Sequence, residues 1–478
     1  MLNDLKLAFR RLSKSELLRC CMIEEHRSQV LGPSYSLIRG GKWHSLKAVI
    51  CTLSMLVATT AGAQLPKADG NWQGVMERDG APMTVRFDFQ SGAGGVTGKF
   101  TSESQQAMEY PLDKVDVNGS TIHWVLGGSI IFDGAVSRDA IAGTFKEGSG
   151  SGTFSLRRVA VGAPPYRRED ITFRVDDVVL SGTLLRPKST GLHPGIVFLH
   201  GSGTETRWGT PFFFADRFAR NGVAALVFDK RGSGQSTGDW RTISYEELAG
   251  DYLAAVHFLQ AQSGVNPRQV GIFGHSQGGT IAPLIAARPG AVAFVIAAAA
   301  IGTGPIYSQD LYRTRNDLED RGFTEPEISR AMDLYSQWIN VARTGEGWDQ
   351  LSSAMAEAKN EKWFRVLGLP QSKDHWIYRW YPRVGNFNPL PRWEQVHVPV
   401  LLIYGEQDRN TPVAPSLAGI TEALQKAGNA DYTPIIIPGA AHNLTIQWHT
   451  GQPFFWWYGA PGYSNLLVAW VKLRFPEK

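Results

Sequence analysis

Gly274-His275-Ser276-Gln277-Gly278 is the stretch on which the fold turns. It follows the apolar run Gln269-Val270-Gly271-Ile272-Phe273 and precedes a helix-like segment, Gly279-Thr280-Ile281-Ala282-Pro283-Leu284-Ile285-Ala286. A serine held out on a sharp strand-to-helix turn needs neighbours without Cβ, because the backbones approach closely and the dihedrals are strained. The helix that starts there directs its N-terminal N–H groups at the space beside the serine oxygen, where negative charge would develop in an acyl transfer.

Two partners follow in order. Val398-Pro399-Val400-Leu401-Leu402-Ile403-Tyr404-Gly405 has the pattern of a buried strand, and the loop Glu406-Gln407-Asp408-Arg409-Asn410 comes next. Tyr432-Thr433-Pro434-Ile435-Ile436-Ile437 forms another strand pattern, ending in Pro438-Gly439-Ala440-Ala441-His442. Serine, acid and histidine in that chain order suit nucleophilic catalysis: His442 would take the Ser276 proton while Asp408 holds the imidazole tautomer. Glu406 competes with Asp408 for the role of acid.

Upstream, Gly195-Ile196-Val197-Phe198-Leu199-His200 is a strand leading into Gly201-Ser202-Gly203-Thr204, and Val223-Ala224-Ala225-Leu226-Val227-Phe228 leads into Asp229-Lys230-Arg231-Gly232-Ser233-Gly234-Gln235-Ser236. On these residues, with Ser276, Asp408 and His442, the segment from about 170 to 475 resembles the α/β-hydrolase superfamily, in the branch of bacterial esterase-D-like and serine-aminopeptidase-like hydrolases. The resemblance implies an oxyanion hole from the backbone N–H groups of Ser202, Gly203 and Gln277. It is specific for fold and catalytic class and says little about substrate, because this scaffold hosts many chemistries. Asp229 and Arg231 read more simply as a structural ion pair bracing their loop than as substrate contacts.

The wider pattern agrees. Strands at 194–200, 223–228, 269–273 and 292–299 alternate with helices near 211–221, 244–262 and 277–287, the signature of a mostly parallel sheet covered on both faces. Ile171–Val175 and Val178–Leu185, joined at Asp176-Asp177, form an opening antiparallel hairpin. An insertion at about 302–395 carries a capping box, Thr324-Glu325-Pro326-Glu327, and many tryptophans, and is expected as a helical cap over the serine. Trp208, Trp338 and Trp376 are the candidate substrate-binding rings, with Trp448, Phe454, Phe455, Trp456 and Trp457 placed to close the same cavity. Residues 64–160 alternate polar with apolar around Asp79-Gly80, Asn118-Gly119 and Asp133-Gly134, which predicts a small antiparallel sandwich or barrel ahead of the catalytic domain at 166–478. Packing against the hydrolase is the simpler role for it; a ligand-binding cup is the alternative.

Composition sets outer limits. The 478 residues carry 48 Lys+Arg and 44 Asp+Glu, with nine and four of these in the first 63, so the remainder is close to neutral. No field pulls the protein toward nucleic acid. No metal-ligand spacing or phosphate-cradling loop is present, so no cofactor is expected; the expected partner is a small-molecule ester. Residues 1–63 read as a leader with a secretory signal: Lys42 and Lys47 precede the apolar run 48–58, and Ala61-Gly62-Ala63 is a cleavage site. The run is short for a membrane span, so cleavage would leave no stable membrane insertion and would release the chain to a periplasmic or secreted location. Some forty residues ahead of a signal is long, which suggests a later translation start or an extended leader. Cys20, Cys21 and Cys51 all fall within this segment, leaving a thiol-free remainder suited to an oxidising compartment.

Overall fold

The computed structural model describes residues 68–447 and 456–476, all within one compact unit. The leader at 1–63 lies outside the described residues, as do Trp448, Phe454 and Phe455.

Nine strands open the described chain: β1 (Gly70–Arg78), β2 (Ala81–Gly92), β3 (Gly95–Ser102), β4 (Ala107–Pro111), β5 (Lys114–Asn118), β6 (Thr121–Leu126), β7 (Ile130–Val136), β8 (Ala140–Glu147) and β9 (Gly150–Val159). They form one antiparallel sheet in the order β4-β3-β2-β1-β9-β8-β7-β6-β5. Of the sandwich or barrel expected, the chain forms a single sheet curled into a half-barrel. The physical reason is one-sided patterning: in β2 it is Ala81, Met83, Val85, Phe87 and Phe89 that are buried, every second residue. A sheet with one apolar face and no second layer must wrap around its own side chains. Trp72, Phe87, Trp124, Phe132, Phe145 and Phe154 fill the hollow, with Trp124 stacked on Phe132 at 4.8 Å.

The second sheet has eight strands. β10 (Tyr166–Val175) and β11 (Val178–Pro187) make the hairpin, closing at Val175↔Val178 around Asp176, whose φ of 50° is the left-handed value that aspartate tolerates. Tyr166 begins β10, and its hydroxyl donates to buried Asp216 at 2.6 Å. Then come β12 (His193–Leu199), β13 (Ala224–Phe228), β14 (Val265–His275), β15 (Val295–Ala298), β16 (Val400–Gly405) and β17 (Tyr432–Ile437). The order is β10-β11-β13-β12-β14-β15-β16-β17, parallel from β13 onward. β12, β13, β15 and β16 are buried along their full length, as a sheet covered on both faces requires.

Helices α1 (Thr210–Arg220), α2 (Tyr245–Gln260) and α3 (Gln277–Ala286) cross between these strands. The Ser244 hydroxyl and the Glu247 carboxylate form a reciprocal capping box that starts α2. Between β15 and β16 the chain inserts six helices, α4 (Ile306–Asp320), α5 (Glu325–Thr344), α6 (Trp348–Ala358), α7 (Phe364–Leu367), α8 (Ile377–Val384) and α9 (Leu390–Trp393). The Glu327 carboxylate accepts the Thr324 N–H at 2.8 Å and so opens α5 at the expected place. Asp310 anchors the insertion from within: it is 7% exposed, accepts the Tyr381 hydroxyl and pairs with Arg313.

The two sheets meet at several points. Met108 of β4 bridges Gly209 ahead of α1, and Glu109 pairs with both Lys99 and Arg168. On the far side, Trp456 sits in the aromatic hollow of the half-barrel with its indole N–H on the Ala81 carbonyl at 3.0 Å.

Candidate active site

Four loops converge at the carboxyl ends of β12, β14, β16 and β17, the edge where ligands gather in open α/β sheets. Ser276 follows β14 with φ 53° and ψ −115°, a left-handed conformation costly for a residue with Cβ. Glycines make the turn possible. A Cβ on Gly274 would lie 2.3 Å from the Gly278 backbone, and one on Gly278 would lie 2.8 Å from the Leu199 carbonyl oxygen. The strand, the helix and the loop after β12 are therefore packed backbone to backbone, and Ser276 stands as the N-cap of α3.

His442 bridges the serine and the aspartate. Its Nδ1 donates to Asp408 Oδ2 at 2.8 Å, which leaves the Nε2 lone pair to accept the Ser276 hydroxyl at 3.0 Å. The Asp408 side chain has no exposure, while the imidazole keeps 14%, so the relay opens to solvent on its histidine edge. Asp408 Oδ1 accepts the backbone N–H groups of Asn410 and Thr411, both at 2.8 Å, which fixes the carboxylate plane. Glu406 instead accepts the Gly439 N–H at 2.8 Å and bridges its own loop to the next. The helical insertion supports the Asp408 loop, through the Tyr312 hydroxyl on the Asp408 carbonyl and Gln309 on Thr411.

His275 was not singled out by the sequence pattern. Its Nε2 donates to the His442 backbone carbonyl at 2.9 Å, and the two imidazoles lie 5.0 Å apart. Desolvation and the neighbouring His442 push it down to about 4, so it is neutral at physiological pH. His200 is buried, donates Nε2–H to the Phe228 carbonyl at 2.6 Å, and is pushed down by burial to about 3.

Ser202 and Gly203 follow β12, with Ser202 exposed. The Gly201 N–H is already taken by the Glu205 carboxylate at 2.8 Å. Gln277 is the first residue of α3, so its N–H has no carbonyl partner within the helix. Asp229 and Arg231 do not form the ion pair expected between them: Asp229 accepts the Arg207 and Gln235 N–H groups at 2.9 Å each and faces the Arg207 guanidinium, while Arg231 pairs with buried Asp251 from α2.

The three tryptophans proposed for substrate fall in different places. Trp208 lies at the junction of the two sheets, with the cations of Lys99, Arg168 and Arg207 each about 5 Å from its ring. Trp338 is 7% exposed, packed within the insertion, and donates to the Tyr378 hydroxyl. Trp376 belongs to a half-buried group with Trp240 and Trp380, at 5.4 and 5.7 Å. That group reaches the elbow, because Trp380 and Phe387 touch Tyr245, whose hydroxyl accepts the Gln277 side-chain amide at 3.2 Å. Trp240 and Tyr245 carried no motif of their own in the sequence, and only the fold brings them beside Gln277. Among the described residues, no cluster of three or more His, Cys, Asp or Glu is arranged to hold a metal ion, and no helix is long and apolar enough to cross a membrane.

A doubly covered, mostly parallel sheet with a strained serine at a strand-to-helix turn defines the α/β-hydrolase fold. The chain belongs to the alpha/beta hydrolase family, whose model matches residues 196–453. It is 35% identical over 133 residues to the quorum-quenching protein AidA of Acinetobacter baumannii; the match covers 28% of this chain and 43% of that protein, under half of its length. It is 24% identical over 258 residues to the bifunctional esterase/perhydrolase DCH of Acinetobacter calcoaceticus, covering 52% of this chain and 86% of that protein. Among solved structures, an esterase of Pyrococcus furiosus aligns over 60% of this chain and 88% of its own, at 18% identity and a TM-score of 0.39.

Proposed function

We propose that the protein is a serine esterase that cleaves carboxylic esters through an acyl-enzyme on Ser276. The hydrogen-bonded relay from Ser276 Oγ through His442 to Asp408, at 3.0 and 2.8 Å, carries this reading. His442 removes the serine proton as Oγ attacks the ester carbonyl, then returns it to the departing alcohol; Asp408 keeps Nδ1–H pointed away from the serine and stabilises the imidazolium. The N–H groups of Gln277 and of the Ser202–Gly203 loop receive the tetrahedral oxyanion, each worth about 2.7–4 kcal/mol in the transition state. Water then repeats the cycle on the acyl group. The helical insertion serves as the cap over this site. The leader directs export, with cleavage near Ala63.

The similarity to a protein named as an esterase/perhydrolase, along most of that protein's length, supports ester over amide as substrate. Ser276→Ala is expected to lower p-nitrophenyl ester turnover on the order of 10⁶-fold and to abolish fluorophosphonate labelling. Turnover near wild type in that variant sinks the proposal. Esters and aminoacyl amides assayed side by side decide the substrate class, and a higher kcat/KM for the amides moves the assignment to a peptidase.

A further inference from the structure

Lys230 stands directly after β13 in the Asp229-Lys230-Arg231 turn, at 1% exposure. A lysine so deeply enclosed is costly unless every N–H of its ammonium is used. All three are. Nζ donates to the Gly201 carbonyl at 2.9 Å, the Gly203 carbonyl at 3.0 Å and Gln277 Oε1 at 2.7 Å.

Two of these acceptors are the carbonyls of the loop after β12, and the third is the side chain of the residue after Ser276. One cation therefore joins the two segments that supply the oxyanion donors of the esterase reading, on which this inference rests. The peptide geometry adds direction. The Gly201 carbonyl shares a trans peptide plane with the Ser202 N–H, and the two point in opposite senses. Pulling that carbonyl onto Lys230 turns the Ser202 N–H away from the buried side of the loop and polarises it as a donor. The Glu205 carboxylate grips the Gly201 N–H, and the Lys230 N–H donates to the Glu205 carbonyl at 3.1 Å, so the whole loop is closed around the lysine. Gln277 is held from the other side by the Tyr245 hydroxyl.

We propose that Lys230 is a positioning residue of the oxyanion site, whose charged ammonium sets the Ser202 peptide and Gln277 at their working separation and whose deprotonation loosens them.

The titratable and charged groups around Lys230 are the Glu205 carboxylate, the neutral His200, the Asp229–Arg207 pair and the Tyr245 phenol beyond Gln277, with the Trp240 ring 5.1 Å from Nζ. Burial outweighs the attraction of Glu205 and draws the lysine down to about 8. Below that pH there are three donors for three acceptors; above it the neutral amine has two N–H groups, and one acceptor is released. Buried charge also opposes folding, so a neutral side chain of similar length relieves one cost while leaving three acceptors unpaired.

The test uses the full chain and reads fluorophosphonate labelling of Ser276, ester kcat and KM from about pH 6 to 10, and thermal unfolding. Wild type is expected to lose kcat as pH rises through about 8, with KM little changed. Lys230→Met is expected to melt within a few degrees of wild type while kcat falls roughly ten- to hundred-fold, less than the 10²–10³ lost with a whole oxyanion donor. Its alkaline fall near 8 is expected to vanish. Lys230→Arg, which stays charged throughout, is expected to retain activity above pH 8. A wild-type kcat that does not fall through pH 8, or an identical fall in the Met or Arg variant, overturns the proposal. Absence of Ser276 labelling in wild type at every pH overturns the esterase reading instead.

Discussion

Asp408→Asn isolates the part of the site that sets the histidine tautomer. Asp408 Oδ1 accepts two backbone N–H groups, from Asn410 and Thr411. In the asparagine variant those donors still need an oxygen, so the carbonyl of the amide takes that side. The NH2 is left facing His442 Nδ1, where Asp408 Oδ2 stood at 2.8 Å. Two donors cannot face each other, so Nδ1 gives up its hydrogen and becomes the acceptor. The proton moves to Nε2, 3.0 Å from the Ser276 oxygen, and the imidazole can no longer take the serine proton. The fold is untouched because the loop keeps both backbone bonds. A tautomer reversed in this way costs about 10⁴-fold in kcat, which corresponds to about 5 kcal/mol of barrier. The assay is p-nitrophenyl butyrate hydrolysis near neutral pH, with circular dichroism to follow melting. Glu406→Gln is the control: its amide oxygen can still accept the Gly439 N–H, and activity is expected to stay within twofold. An Asp408→Asn protein that folds and keeps more than a tenth of wild-type kcat refutes this account of the aspartate.

Two further outcomes follow from groups outside the relay. Trp456→Ala removes an indole that is 6% exposed within the half-barrel core, at a cost of about 3–5 kcal/mol, read as a shift in the urea midpoint; an unchanged midpoint contradicts its placement. His200 and His275, held at about 3 and about 4, bind fewer protons folded than unfolded between those values and the ordinary histidine range near 6.5. Their contribution to stability is therefore complete above about pH 6.5 and is lost as pH falls toward 4. His275→Asn is expected to flatten the dependence of melting temperature on pH across that window, and an unaltered slope refutes the assignment.

Much of the catalytic half was legible in the sequence because its signals are local. A glycine-flanked serine between a strand and a helix has few alternatives, and β12, β13, β14, β16 and β17 are apolar runs bounded by turn residues. What escaped was whatever depends on a partner far along the chain. The order of residues favours Asp408 over Glu406 without showing the contacts that separate them, His442 Nδ1 on Asp408 and the Gly439 N–H on Glu406. Lys230 was quoted as part of a glycine-rich loop, yet its three acceptors come from residues up to 47 positions away. In the half-barrel, Asp133-Gly134 has the composition of a turn but lies inside β7, where its glycine continues the strand, and β4 and β5 have only five residues each in which to show a pattern.

The aromatic rings after His442 make the same point with a functional consequence. As a string, Trp456 and Trp457 suggested a wall for the substrate cavity. In the fold, Trp456 fills the core of the half-barrel, while Trp457 is 46% exposed. Between them and His442 runs a short ladder: Ile446 pairs with Tyr458, and the Ala460 N–H donates to the Leu444 carbonyl at 2.9 Å. Leu444 itself is buried with φ 54°, a strained conformation that persists only where the surroundings impose it. The residues just after His442 are thus paired with Tyr458 and Ala460, close in sequence to a tryptophan seated in the other sheet.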